Sequence, residues 1–297
     1  MLPLVSGILL LDKPVGLSSN AALGRAKHAL GMRKAGHTGT LDPLASGLLV
    51  LCFGEATKVA GYLLDGDKTY RAEVRLGVTT ETDDAEGAVV ESRPVPVLDE
   101  EAVERALAGF RGAIEQVPPM YSALKRDGER LYQLARRGET VERPARAVTV
   151  HDLVLLSRKD DRIELRVRCS KGTYIRSLAR DLGEQLGCGA HLSALRRTHS
   201  EPFDIADAVD LEALLAMDSA DARARLKPPD QALLQLPAIE LDPDQAARVL
   251  NGQRLAGLAT AAEGLVRLYA PQGFIGIGQS DGRGALQPKR LFRVALD

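Results

Sequence analysis

The sequence predicts an α+β fold, a mainly antiparallel mixed sheet flanked by helices. Strand-length apolar or alternating segments outnumber the helical patterns between them and rarely alternate with them one for one, which disfavours a doubly wound parallel sheet. Lys68–Leu76 carries the clearest period of two. Tyr70, Ala72, Val74 and Leu76 share one face, and Thr69, Arg71, Glu73 and Arg75 share the other, so one side is wet.

The elements follow in order. Residues 7–12 (GILLLD) form a continuous apolar run, hence a buried strand, stopped by Lys13-Pro14. Ser18 or Ser19 can cap a helix to about residue 30, with Gly31 as its C-terminal stop. A glycine-punctuated stretch over 35–47 leads into a second buried strand, 48–53. Helices are expected near 56–64, 99–109, 129–137 and 174–186, and strands near 146–156 and 162–169. The proline-rich stretch 226–238 (LKPPDQALLQLPA) reads as a linker. Beyond it a helix over 241–251 and strands near 264–269, 274–279 and 291–296 suggest a small β-rich unit. The expected division is therefore 1–238 and 239–297.

A length of 297 residues fits one large domain or a large and a small one. With 39 Lys+Arg against 40 Asp+Glu the net charge is −1, which excludes a uniformly basic nucleic-acid binder. The balance is regional, however. Residues 111–200 carry 18 basic and 11 acidic residues and 59–110 carry 5 and 12, so a local phosphate-binding surface is possible around Arg136, Arg137, Arg196 and Arg197. Cys52, Cys169 and Cys188 are too far apart for a CxxC metal pair and read as buried thiols of a cytoplasmic protein. No signal-peptide pattern and no 18-residue apolar stretch is found, so no membrane association is expected.

Phosphate-cradling GxxxxGK[ST] and GxGxxG patterns, HExxH and GxSxG are missing, and the five histidines show no metal spacing. The expectation is a reaction without cofactor or metal. The informative stretch is residues 36–47, GHTGTLDPLASG. Three glycines allow close backbone approach, and Pro43 biases Asp42 away from helix. A carboxylate between Leu41 and Leu44 at a strand entrance would be partly desolvated and would need a cation. A surface Asp-Pro turn is the plain alternative.

This stretch resembles the catalytic-aspartate motif of the TruB family, the bacterial tRNA pseudouridine-55 synthases. Asp12-Lys13-Pro14 with Gly16 and Ser18-Ser19-Asn20 resembles its N-terminal motif, and Lys68-Thr69-Tyr70-Arg71-Ala72 its tyrosine strand. Residues 118–125 (PPMYSALK), 169–178 (CSKGTYIRSL) and 195–198 (LRRT) resemble the motifs that follow. The resemblance implies the pseudouridine synthase fold and a small PUA-like RNA-binding domain over 239–297. It implies Asp42 as the carboxylate that works on uridine, through C1′, C6 or a glycal path. Arg176 would pair with it and lower its pKa, and Tyr70 would stack on the base and shuttle a proton. Tyr174 and Leu195 would wall the pocket, and His37 would fill the space left by everted nucleotides. Lys13 would support the catalytic loop or meet a phosphate. The implied partner is the tRNA T-arm; no obligate protein partner is expected, and nothing in the sequence demands more than a monomer. Two other readings are a tRNA-binding folding chaperone with secondary or no catalysis, and a glycoside-processing domain, for which no second suitably placed carboxylate is evident.

Overall fold

Apolar runs without alternation belong in strands covered on both faces. The first two runs behave this way in the computed structural model, which describes residues 6–122, 124–126, 128–139, 141–259 and 262–292. β1 (Gly7–Lys13) leads to α1 (Ser19–Leu30), then β2 (Ala35–His37) and β3 (Ala45–Phe53). Ile8 and Leu10 of β1 join Leu48, Val50 and Cys52 of β3 in one core. Leu9, Leu11, Leu49, Leu51 and Phe53 join Ala22, Ala26 and Leu30 of α1 in the core on the other side. Of the two candidate caps of α1, Ser18 does the capping, its hydroxyl accepting from the Ala21 amide, and Gly31 ends the helix at φ 62°.

The chain continues through α2 (Ala60–Asp65), β4 (Lys68–Leu76) and a hairpin of β5 (Val78–Thr80) with β6 (Val89–Ser92). Next come α3 (Glu100–Ala108), β7 (Gly112–Gln116), a two-residue pairing of β8 (Lys125–Arg126) with β9 (Glu129–Arg130), and α4 (Leu131–Arg136). β10 (Arg146–Lys159), β11 (Arg162–Cys169), α5 (Ile175–Gln185), β12 (Ala190–Ser200), β13 (Phe203–Asp204) and β14 (Val209–Asp210) complete the set around the main sheet. That sheet has ten strands among the described residues, in the order β14-β1-β3-β12-β4-β11-β10-β7, with β13 on β12 and β2 on β3. β1 is parallel to β14 and β3 to β12, and the other pairings within it are antiparallel. The fold is thus α+β on a mixed, mainly antiparallel sheet. The buried faces of β4, β11 and β12 pack on α3 and α5, with Val74, Val103, Leu165, Leu182 and Leu192 at 0–1% exposure.

β12 is the long central strand that periodicity does not announce. Its register against β4 shifts between Leu192 and Ala194 and again between Arg197 and His199, so two irregularities break the period of two. Two short helices, α6 (Leu211–Ala216) and α7 (Ser219–Ala224), are also unannounced; Asp210 and Asp218 cap them.

The stretch read as a linker is packed. Ile8 and Lys227 exchange both backbone hydrogen bonds, at 2.9 and 2.8 Å. Ala232 and Leu233 are buried in the core that holds Ile8, Leu48 and Val50. Prolines here shape a short 3-10 turn at Pro229–Leu233 and leave the chain bound. Beyond it β15 (Ala238–Glu240), α8 (Pro243–Leu250), β16 (Glu263–Ala270), β17 (Gly273–Asp281) and β18 (Leu286–Leu291) form a second sheet, β15-β16-β17-β18, over its own core of Val249, Val266, Leu268 and Ile275. Ile277 and Phe292 of this unit lie instead in the core with Leu48 and Leu233. The last strand lies earlier than the expected 291–296, of which residues 293–296 fall outside the described ones.

Leu233 is fully buried where the two units meet. Leu233→Ala should lower the unfolding free energy by about 2–5 kcal/mol in denaturant titration. A loss near zero would show that this segment is a linker after all.

Candidate active site

Asp42 sits between β2 and β3 in a loop whose backbone is held at several points. The Leu41 amide donates to Ser19 Oγ at 2.7 Å, and the same hydroxyl donates to the Leu41 carbonyl at 3.0 Å, 2% exposed. One serine thus grips the residue before Asp42 from both sides. The Ala45 amide closes a turn on the Asp42 carbonyl at 3.1 Å, and the Gly16 amide donates to the Pro43 carbonyl at 2.8 Å. Gly47 has φ 101°, and a Cβ there would come within 2.3 Å of the Arg197 carbonyl, so β3 and β12 meet only because this position is glycine.

Arg176 enters from the first turn of α5. Its Nη2 is 3.0 Å from Asp42 Oδ2 and donates to the Tyr121 carbonyl at 2.8 Å. Its Nη1 donates to the Thr82 carbonyl at 3.0 Å and lies 3.5 Å from Asp84 Oδ2. The arginine side chain is 6% exposed and that of Asp84 4%, against 39% for Asp42. One buried cation is therefore shared by two carboxylates, and only Asp42 remains open to solvent. The closest approach to Asp42 is that of Nη2 to Oδ2, and the net effect on Asp42 is opposite to the sequence expectation. Desolvation lifts its pKa above the usual carboxylate value and the charge of Asp84 adds to the lift, while Arg176 and then Lys13 pull the other way.

Tyr70 on β4 and Leu195 on β12 each touch both cores flanking the central strands. Burial raises the Tyr70 pKa, opposed by the Arg197 charge, and the Asp42 charge reaches the same hydroxyl. Tyr174 precedes α5. Its backbone is clamped by buried Gln116, whose Oε1 accepts from the Tyr174 amide at 2.7 Å and whose Nε2 donates to the Tyr174 carbonyl at 3.0 Å. The Asp42 charge reaches its hydroxyl too. His37 ends β2 opposite Leu51, half-buried, with Nδ1 enclosed and without a hydrogen-bond partner. Burial, then the Arg197 charge, lowers its pKa and favours the neutral ring. No cluster of three or more His, Cys, Asp or Glu able to hold a metal occurs among the described residues, and no described helix is long and apolar enough to cross a membrane.

Residues 27–175 match the family profile described as TruB family pseudouridylate synthase, N-terminal domain. Residues 176–234 match the tRNA pseudouridylate synthase B C-terminal domain, and 237–292 match the C-terminal profile of pseudouridine synthase II TruB. The chain belongs to the TruB family of pseudouridylate synthases. It is 54% identical to tRNA pseudouridine synthase B of Chromohalobacter salexigens over 98% of this chain and 95% of that one. It is 55% identical to the enzyme of that name from Aromatoleum aromaticum over 97% and 93%. Among solved structures, a Cbf5-Nop10-Gar1 complex aligns with a TM-score of 0.75 at 26% identity, over 98% of this chain and 86% of that chain. An H/ACA RNP bound to a substrate RNA containing 2'-deoxyuridine aligns with a TM-score of 0.72 at 25% identity, over 98% and 86%.

In this TruB-family chain the structure brings Asp42 and Arg176 into contact and sets Tyr70, Tyr174, Leu195 and His37 in the same region, whereas the four arginines proposed for phosphate do not act alike. Arg197 is 1% exposed and donates from Nε to the Leu48 carbonyl at 2.7 Å and from Nη2 to the Gly39 carbonyl at 3.1 Å, so it cannot face a phosphate. Arg196 is paired with Asp12 at 2.6 Å, and Arg137 with both Glu129 and Glu139, so neither offers an uncompensated charge. The side chain of Arg136 lies outside the described residues. Lys13 is fully buried, and its Nζ donates to the carbonyls of Pro14 at 2.8 Å and Leu17 at 2.7 Å. Both carbonyls belong to the turn that follows β1, and burial pushes the Lys13 pKa down to about 8.

Two residues escaped the sequence reading. Asp84 lies in an acid-rich turn between β5 and β6 that looks solvated, yet Thr82 Oγ1 donates to its carboxylate at 2.6 Å and the Glu86 amide at 3.0 Å. Ser19 was visible as a candidate cap, but its grip on Leu41 spans 22 positions and has no local signal.

If the Asp42 carboxylate is the working form, activity falls as pH drops through its pKa, and the raised value places that fall above the usual range for an aspartate. Asp84→Asn removes a charge that raises this pKa, so the acid limb of kcat/KM should move to lower pH. An unmoved limb, or one displaced to higher pH, would contradict the shared-cation geometry.

Proposed function

We propose that the chain converts uridine 55 in the T-loop of tRNA to pseudouridine, without a cofactor, through Asp42. The observation that carries this reading is the Asp42–Arg176 pair at 3.0 Å, the carboxylate partly open and the guanidinium buried. The name shared by relatives 54–55% identical over nearly the whole chain supports tRNA as the substrate class.

The reaction is an isomerisation: the N1–C1′ bond breaks, the base turns, a C5–C1′ bond forms, the C5 proton leaves and N1 gains a proton. No net oxidation or group transfer is involved. Asp42 supplies the carboxylate at the sugar–base junction. Arg176 fixes its direction, and Asp84 fixes Arg176 from behind. Tyr70 stacks on the base, with its hydroxyl at hand for the proton that moves from carbon to nitrogen. A T-loop uridine is stacked inside a folded RNA and must be everted to reach this pocket. Tyr174 and Leu195 receive it, and the neutral ring of His37 takes up stacking space it leaves. The unit over 239–297 extends the RNA-contacting surface in the manner of a PUA-like domain.

Asp42→Asn should reduce pseudouridine formation on a T-arm stem-loop by on the order of 10⁴-fold or more, while affinity for that RNA stays within about threefold of the unmodified chain. Retained turnover would remove Asp42 from the chemistry. RNA affinity should fall at least about tenfold between roughly 50 and 200 mM salt despite the net charge of −1. A salt-independent titration would contradict a phosphate-contacting surface.

A further inference from the structure

A buried cation is costly, and nothing in the proposed chemistry explains Arg197. At 1% exposure it is the bulkiest of the fully buried side chains among the described residues. Its acceptors are carbonyls, and both lie in the segment that carries Asp42: Gly39, three residues before it, and Leu48, at the start of the apolar run that follows. In the sheet Arg197 stands directly across from Tyr70 on β4, and its backbone pairs with Gly47 on β3. Cross-strand partners project from the same face of a sheet with Cβ atoms about 4.5–5.5 Å apart. The Arg197 backbone therefore lies between the loop end and Tyr70, and its side chain reaches back to Gly39.

We propose that Arg197 is a positioning residue for the isomerisation, a single guanidinium that locks the Asp42 loop and the Tyr70 ring into one fixed arrangement. The proposal rests on the reading of Asp42 and Tyr70 as the reacting pair. Three properties follow from the geometry. The lock acts on the loop through the Gly39 and Leu48 carbonyls, so it holds backbone position and leaves the Asp42 carboxylate to Arg176. It adds positive charge beside Tyr70 with no carboxylate paired to it among the described residues, consistent with the opposing pull of Arg197 on the Tyr70 hydroxyl. It makes no outward contact, so RNA affinity does not depend on it.

The test uses Arg197→Lys, which keeps the charge and the stem but loses the two-pronged reach, with single-turnover rate and T-arm affinity measured separately. The rate should fall by about 10²-fold, with affinity within about threefold. In a cycle with Tyr70→Phe, the combined loss should be clearly less than the product of the two single losses, because part of the lock acts through the Tyr70 hydroxyl. An unchanged rate, a loss confined to affinity, or additive losses would each overturn the proposal. Should Arg197→Lys fail to fold, Tyr70→Phe decides: the Arg197 Nε–H signal in a ¹⁵N spectrum should shift when the neighbouring hydroxyl is removed, and an unmoved signal overturns the contact. Asp42→Asn in the same assay reports on the underlying reading alone, since turnover there would refute the reacting pair whatever Arg197 does.

Discussion

A guanidinium withdrawn from water must be met by acceptors and by opposite charge, and Arg176 is met by both in a way that fixes the rest of the molecule. Its four partners come from separate segments: Asp42 from the loop between β2 and β3, Thr82 and Asp84 from the turn between β5 and β6, and Tyr121 from the segment after β7. These can converge only if α5 is seated on β4, β11 and β12, which the core around Leu178, Ala179 and Leu182 ensures. Because two acids share one cation and only one of them is exposed, the arrangement leaves an open, incompletely compensated carboxylate. That is the state a nucleophile or base requires and a structural ion pair avoids.

The cations around the pocket are satisfied differently. Lys13, Lys68 and Arg197 are all buried and donate to backbone carbonyls. Lys68 holds the carbonyls of Leu63, Leu64 and Gly66 at the end of α2, the negative end of a helix. Acceptors of this kind bind the cation without cancelling its charge, so the strands beneath Asp42 and Tyr70 carry positive charge. Outside, the wet face of β4, β10 and β11 is a ladder of opposed charges: Arg71 with Glu164, Arg75 with Asp161, Arg162 with Glu73, Arg166 with Asp152. Only two of these four cations belong to residues 111–200, against three of the acids, so the basic surplus of that region is not used up on this face.

Sequence pattern made some of this legible and hid the rest for identifiable reasons. The runs at 7–11 and 48–53 are apolar throughout because both faces of β1 and β3 are covered, and the wet side of β4 shows plainly as alternation. Asp42 stood out because proline and glycines restrict its backbone, a local property. β12 did not, since two register shifts erase its period. Arg197 and Arg196 look alike as neighbours in sequence, yet a strand sends them to opposite faces, one into the interior and one to Asp12 at the edge of solvent. Asp84 does not stand out in an acidic stretch, because what buries it, the bridge to Leu192 and the approach of Arg176, lies about a hundred residues away. The proline-rich stretch before 238 was taken for a linker because the backbone exchange with Ile8 is equally remote.

The central claim is that Asp42 is an open carboxylate held beside a buried arginine it must share with Asp84. Direct ¹³C NMR titration of the aspartate carboxyl carbons in the RNA-free protein tests it. Asp42 should titrate above the ordinary aspartate range, and Asp84→Asn should bring that titration down. A titration of Asp42 at or below the ordinary range would show that it has Arg176 to itself, and would contradict the account.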